Sequence, residues 1–284
     1  MGRWRHAVLA YCASGSCDAR RSCRDCRRLA DQAGCSPMNA GPVRRSALDR
    51  SCAIACALGV VLRGVEFAFI ETGAFSAAVG NLPKLFFVVT SSSLAVFALV
   101  PLVIMLGISN LQMSSSPQIL IRAGSRAASV AMCLMVSAVR SAVFALTVVA
   151  SGLLLVAARG FWTFGATAAV SFLIVEAVLI ALFCICCQLV MLFTWLTCAS
   201  LPMAICSAAF YGSLDYLASF SPALDHPALY LGWRLTLLEA TMPVSVMVCN
   251  ALRLLAIALI LAFASARVAS RRDLLPVGGG ADVL

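Results

Sequence analysis

The sequence predicts an all-α polytopic membrane protein, a six-helix transmembrane bundle with both termini in the cytoplasm. Of its 284 residues, 62% are hydrophobic and only 12% are charged, and the mean hydropathy is +0.98. Soluble domains carry about 25% charged residues, so this chain lacks the charge to cover a water-facing surface. Its apolar residues are also grouped in runs of about 20 or more, the length that crosses a hydrocarbon core. These observations argue against a soluble enzyme and against a disordered chain.

A basic, cysteine-rich arm, residues 1–46, comes first, and we expect it to be disordered. Ten arginines and five of the 14 cysteines lie before residue 52. Cys23 and Cys26 form one C-x-x-C motif, but no second pair follows at zinc-finger spacing, so we expect no metal site. Residues 1–37 have the composition of translated GC-rich upstream DNA. Translation from Met38 is therefore a hypothesis, and the sequence leaves the choice between Met1 and Met38 open.

The predicted transmembrane domain covers residues 47–266, and residues 267–284 form a predicted cytoplasmic tail. We expect the first three spans at about residues 52–73, 85–109 and 129–157 and the last at about 243–264.

Residues 166–210 are almost unbroken apolar sequence and supply the fourth and fifth spans. A single helix of these 45 residues would be about 68 Å long, more than twice the hydrocarbon thickness. We therefore expect two helices joined by a tight turn within residues 188–197, with the exact break left open. Residues 211–239, which include Asp215 and His226, are expected to form an outer loop.

The distribution of basic residues predicts the orientation. Fifteen of the 21 Lys and Arg residues lie in segments that this topology places in the cytoplasm, and three lie in the outer loops. Without residues 1–37 the ratio is still eight to three. Positive charge is enriched on the cytoplasmic side of membrane proteins, so both termini are predicted to be inside.

No catalytic or nucleotide-binding motif is recognisable. The only lysine, Lys84, follows Pro83 and is not part of a phosphate-binding loop, and the two histidines are far apart. We predict that the chain is not an enzyme, has no cofactor and, despite its net charge of +9, does not bind nucleic acid.

Ionisable residues within the predicted spans are the remaining candidates, because they are costly in lipid and often functional. They are Arg63, Glu66, Arg140, Glu176 and Arg253. Arg63 and Glu66 are three residues apart and can neutralise each other on one helix face. A structural interpretation pairs Arg140 with Glu176 and places Arg253 at a protein interface. Substrate contact and proton coupling are the alternatives.

The segment before the third predicted span contains Pro117, Ile121, Arg122, Gly124, Ser125 and Arg126. Pro117 can begin a short helix after a serine N-cap, with Arg122 and Arg126 facing lipid head groups or a partner. Residues 119–126 resemble the L-I-R-x-x-S-R loop of ABC-2-type permeases, the membrane subunits of ATP-binding-cassette exporters. Residues 271–275, RRDLL, are similar to the R-R-D-I-L ending of such subunits.

The resemblance covers roughly residues 47–275. It implies a permease subunit in a bacterial plasma membrane that exports a solute through a path formed with a second permease subunit. The segment around Arg122 and Arg126 would be the coupling helix on a separate ATPase subunit. Without the resemblance, both arginines are equally well explained as anchors to anionic lipid. The alternatives for the whole chain are a stand-alone secondary transporter and a non-transport scaffold or immunity protein.

Overall fold

The computed structural model describes part of the chain, all of it within the compact unit Ala47–Leu284. The described residues are 50–69, 95–114, 126–158, 166–221, 226, 229–236 and 244–271. The predicted N-terminal arm with Met38 and the tail beyond residue 271 lie outside them. So do five residues of the predicted coupling segment, Pro117, Ile121, Arg122, Gly124 and Ser125.

Every regular element of the described residues is helical. The α-helices are α1 (Arg50–Phe69), α2 (Val100–Ser114), α3 (Arg126–Ala158), α4 (Ala166–Cys198), α5 (Leu201–Ala218) and α6 (Val244–Arg271). A π-helical segment, Ala95–Leu99, leads into α2, and a 3-10 turn, Trp233–Thr236, lies between α5 and α6. The prediction of an all-helical chain is confirmed for these residues.

Three of the described helices are long and apolar enough to cross a membrane. The qualifying stretches are Ala128–Ala158 in α3, Val170–Cys198 in α4 and Ser245–Arg271 in α6. Their outward surfaces carry large apolar side chains, among them Met135, Leu154 and Phe263, which are 72%, 70% and 69% exposed. A water-soluble protein rarely exposes apolar surface this extensively, so the described helices fit a lipid environment.

Helix α4 is the centre of the bundle. It packs against α2, α3, α5, α6 and the 3-10 turn, whereas α1 packs on α2 and α3. Its residues Phe183, Cys186 and Met191 are fully buried, as expected for a helix that is apolar on all sides. At 1.5 Å per residue, its 33 residues extend over about 50 Å.

The break between the fourth and fifth predicted spans lies at Ala199 and Ser200, so the prediction of a turn within residues 188–197 is wrong. Gln188 and Thr197 are both inside α4. Ala199 has a positive φ of 53° and its N–H donates to the carbonyl of Trp195 at 2.8 Å. Left-handed backbone just after a helix is a common way to end it. Ser200 is then the N-cap residue of α5.

Two further boundaries differ from the sequence prediction. Helix α2 continues to Ser114, past the predicted end of the second span at residue 109, so Asn110 is helical. Helix α5 continues to Ala218, so Tyr211 and Asp215 belong to a helix and not to the predicted loop 211–239. In both places polar side chains lie on helical backbone because buried partners satisfy them, as described below.

Two glycines allow helices to approach closely. A Cβ atom at Gly212 of α5 would lie 2.7 Å and 2.8 Å from the two Cγ atoms of Val100 in α2. A Cβ atom at Gly107 of α2 would lie 2.7 Å from the Sδ atom of Met191 in α4. Small residues at contacts of this kind are typical of helices that associate in membranes, where packing drives association.

Candidate functional site

A cluster of buried polar side chains joins α2, α3 and α4, and we call it the polar cluster. Its members are Ser109 and Asn110 of α2, Ser137, Arg140 and Ser141 of α3, and Gln188 of α4. All six are buried. Since apolar surroundings offer no water, each of these groups has to find its hydrogen-bond partners within the protein.

Arg140 connects α3 to α2. Its Nη1 donates to the Oγ atom of Ser109 at 2.7 Å and also to the Oδ1 atom of Asn110. The guanidinium group is fully buried. Two neighbouring residues of α2 thus present oxygen acceptors to the guanidinium group of Arg140.

Gln188 connects α4 to both other helices. Its Oε1 atom accepts from the Nδ2 atom of Asn110 at 2.6 Å and from the Oγ atom of Ser137 at 2.5 Å. Its Nε2 atom donates to the Oγ atom of Ser141 at 3.0 Å. Hydrogen bonds between membrane helices contribute about 0.6 kcal/mol on average, so the cluster stabilises this junction through several modest contacts.

A small cavity adjoins the polar cluster. Its volume is about 20 Å³, and Asn110, Ser137 and Gln188 supply its polar lining. Cys133 of α3 and apolar residues of α2 and α4 complete the wall. The cavity has room for about one water molecule.

Arg63 of α1 and Glu176 of α4 are two further buried ionisable residues. They are 0% and 1% exposed. Neither oxygen of Glu176 has a hydrogen-bond partner among the described residues. The predicted pairing of Arg140 with Glu176 is therefore wrong, because Arg140 donates to Ser109 and Asn110 of α2 and neither Glu176 oxygen accepts from it.

The other ionisable candidates are dispersed. Arg253 is half-buried on α6. Glu66 lies in the last part of α1, but its side chain is outside the described structure, so its pairing with Arg63 stays a prediction. Arg126 is the first residue of α3. No group of three His, Cys, Asp or Glu residues that could hold a metal ion occurs in the described part of the chain.

A second set of polar contacts holds residues 229–236 against α5, and we call it the loop clamp. The carboxylate of Asp215 accepts three backbone N–H groups, from Leu231 to Oδ1 at 3.0 Å and from Gly232 and Arg234 to Oδ2 at 2.9 Å each. The hydroxyl group of Tyr211 donates to the carbonyl of Leu231 at 2.7 Å. Asp215 is 3% exposed. This one buried carboxylate accepts the three N–H groups that would bond to backbone carbonyls if residues 231–234 were part of an α-helix.

Trp233 places this segment deep in the bundle. Its ring is 2% exposed and meets the ring of Phe183 edge to face at 5.5 Å. Phe183 is near the middle of α4 and also stacks on Tyr211, with ring centroids 6.3 Å apart. The predicted outer loop is thus wrong for residues 229–236, which pack against the centre of a helix long enough to span a membrane. Irregular backbone at such a depth requires protein partners for its polar groups, and Asp215 and Tyr211 provide them.

Neither of these two sites is predicted by the sequence analysis. Gln188 stood out as polar within an apolar run, but it was interpreted as part of a turn. Asp215 is part of the predicted outer loop 211–239, whereas the structure places it within α5. In both cases the decisive information is the set of partners on other helices. An isolated amide or carboxylate inside a long apolar run was the available signal.

The described part of the chain thus has the features of a helical membrane protein with a polar cluster in its interior. Comparison with protein-family models, with curated proteins and with solved structures finds no match to this chain.

Proposed function

We propose that the chain is an ABC-2-type permease subunit of a bacterial plasma-membrane exporter. It would have six membrane spans and cytoplasmic termini, form the path with a second permease subunit and obtain energy from a separate ATPase. The observation that carries this proposal is the polar cluster inside a bundle of apolar helices. Polar and charged groups at such positions are costly and are usually retained for function. We infer the ATPase partner from the resemblance of residues 119–126 and 271–275 to permease motifs.

The connection between the predicted coupling segment and the polar cluster supports a mechanism. Residues 117–125 lie between the end of α2 at Ser114 and the beginning of α3 at Arg126. Arg140, 14 residues along α3, lies about 21 Å from this beginning, at 1.5 Å per residue. A displacement of the segment by an ATPase would move α3 directly. The contacts of Arg140 with α2, and of Ser137 and Ser141 with Gln188, would pass the movement to the other helices.

A pull-down from membranes tests the proposal. Arg122→Glu combined with Arg126→Glu is expected to leave membrane insertion unchanged and to abolish co-purification with an ATPase, because the charge of the contact is reversed. Arg50→Glu combined with Arg267→Glu, two exposed arginines on α1 and α6 outside both motifs, is the matched control and should retain the ATPase. Retention of the ATPase by the Arg122/Arg126 variant, or the absence of an ATPase from the wild-type complex, would contradict the proposal.

A non-transport scaffold is the second candidate, and the packing of the polar cluster favours it. The cluster's side chains bond to each other across three helices, and the adjoining cavity has a volume of only about 20 Å³. Such an interior stabilises one arrangement of the helices. A scaffold would be recovered with a protein partner that lacks ATPase activity, and its abundance would not alter the export of any solute from cells.

A further inference from the structure

The cavity beside the polar cluster is bordered by more hydrogen-bond donors than the protein uses. Asn110 and Gln188 each have a primary amide with two N–H hydrogens. One hydrogen of Asn110 goes to Gln188, and one of Gln188 goes to Ser141. The second hydrogen of each amide has no protein acceptor among the described residues. Both amides line the same cavity, so two unused donors border one small space.

The size of the cavity limits what it can accept. A volume of about 20 Å³ exceeds the roughly 10–15 Å³ that one water molecule requires. The lining is mixed, with the amides of Asn110 and Gln188 and the hydroxyl of Ser137 facing apolar side chains of α2 and α4. Buried water typically makes about three hydrogen bonds to groups of this kind, whereas purely apolar cavities stay dry.

We propose that this cavity is a binding site for a single water molecule, held by the amide groups of Asn110 and Gln188 and by the Ser137 hydroxyl. Its oxygen accepts from the two amides, and one of its hydrogens is donated to Ser137 Oγ, which gives its own hydrogen to Gln188 and keeps its acceptor capacity. The water is then a seventh member of the polar cluster. This inference is independent of the proposed transport function, because it rests only on the contacts between α2, α3 and α4.

The direct test is a high-resolution structure of the full-length wild-type protein in detergent or nanodisc. We expect an isolated density peak within hydrogen-bonding distance of Asn110 Nδ2 and Gln188 Nε2. A map that shows ordered water elsewhere inside the protein and none in this cavity overturns the proposal.

Substitutions of Cys133 give a second test by the sign of the change in Tm. Cys133 lines the cavity and is 5% exposed. Cys133→Val adds apolar volume, which would displace the water and leave the second N–H hydrogen of each amide without an acceptor. We expect Tm to fall by roughly 2–4 °C, which corresponds to a loss of about 1 kcal/mol of stability in a chain of this size. Cys133→Ala keeps room for the water and is expected to change Tm much less.

A dry cavity predicts the opposite order. If the cavity is dry, Cys133→Val would fill it and raise Tm. Cys133→Ala would enlarge it and lower Tm. Either result overturns the proposal. Ala131→Val, at an exposed position two residues away on α3, controls for the lower helix propensity of valine.

Discussion

The polar cluster and the loop clamp both bury polar groups inside the bundle, but they do so in opposite ways. In the polar cluster, side chains of three regular helices bond to one another, and Gln188 alone has three partners. In the loop clamp, the single side chain of Asp215 satisfies three N–H groups of irregular backbone. The cluster therefore distributes its stabilisation over several contacts, whereas the clamp depends on one carboxylate.

The largest effect is expected at the clamp. Asp215→Ala leaves three backbone N–H groups without their acceptor, and we expect the free energy of unfolding in detergent to fall by about 3–5 kcal/mol. Asp215→Asn keeps one side-chain oxygen and should lose only about 1–3 kcal/mol. Denaturant titration of the purified protein measures both changes. Equal losses for the two variants would mean that the acceptors are not what holds residues 229–236.

An intermediate effect is expected from closing the tight helix contact beside the clamp, and the tight contact beside the polar cluster is the comparison for it. Gly212→Ala puts a methyl group against Val100, whose branched side chain is stiff, so we expect a loss of about 1–2 kcal/mol. Gly107→Ala meets the Sδ atom of Met191, which is flexible and can move away. The gain in helix propensity, about 1 kcal/mol, should make the second change nearly neutral.

Thermal unfolding of the two alanine variants in the same detergent provides the comparison. If Gly107→Ala destabilises the protein as much as Gly212→Ala, the region around Gln188 is packed as rigidly as the region around the clamp. That result would contradict the expectation that the helix contact beside the polar cluster is more easily accommodated than the one beside the loop clamp.

The smallest effect is expected for any single contact of the polar cluster. In a double-mutant cycle of Asn110→Ala and Gln188→Ala, we expect a coupling free energy of about 0.5–1.5 kcal/mol, the range found for hydrogen-bonded residues in membrane helices. The measurement needs the two single variants, the double variant and the wild type. A coupling energy of zero would show that the hydrogen bond between these amides adds nothing to stability.

The sequence predicted the long helices well, because their signal is local. The predicted third span, residues 129–157, falls inside α3, and the fourth begins with α4 at Ala166. The end of α4 was missed because Ala199 and Ser200 carry no strong turn signal. Pro202, in the first turn of α5, was the indication available, since proline is favoured at the beginning of a helix.

The candidate sites were less predictable, because they depend on which helices become neighbours. Arg140 and Glu176 were correctly singled out as buried ionisable residues, but Arg140 bonds to α2 and not to Glu176. No periodicity along α3 or α4 specifies that choice. Asp215 was missed since its three partners are backbone groups, which leave no trace in the amino-acid sequence.

The two-residue link between α4 and α5 has a mechanical consequence. A linker of two residues extends at most about 7 Å, and Ala199 is already held by its hydrogen bond to Trp195. The two helices therefore cannot slide past each other and form one stiff hairpin. A force that tilts α4 at Gln188 therefore also tilts α5. Residues 229–236 move with α5, because their backbone N–H groups are hydrogen-bonded to Asp215.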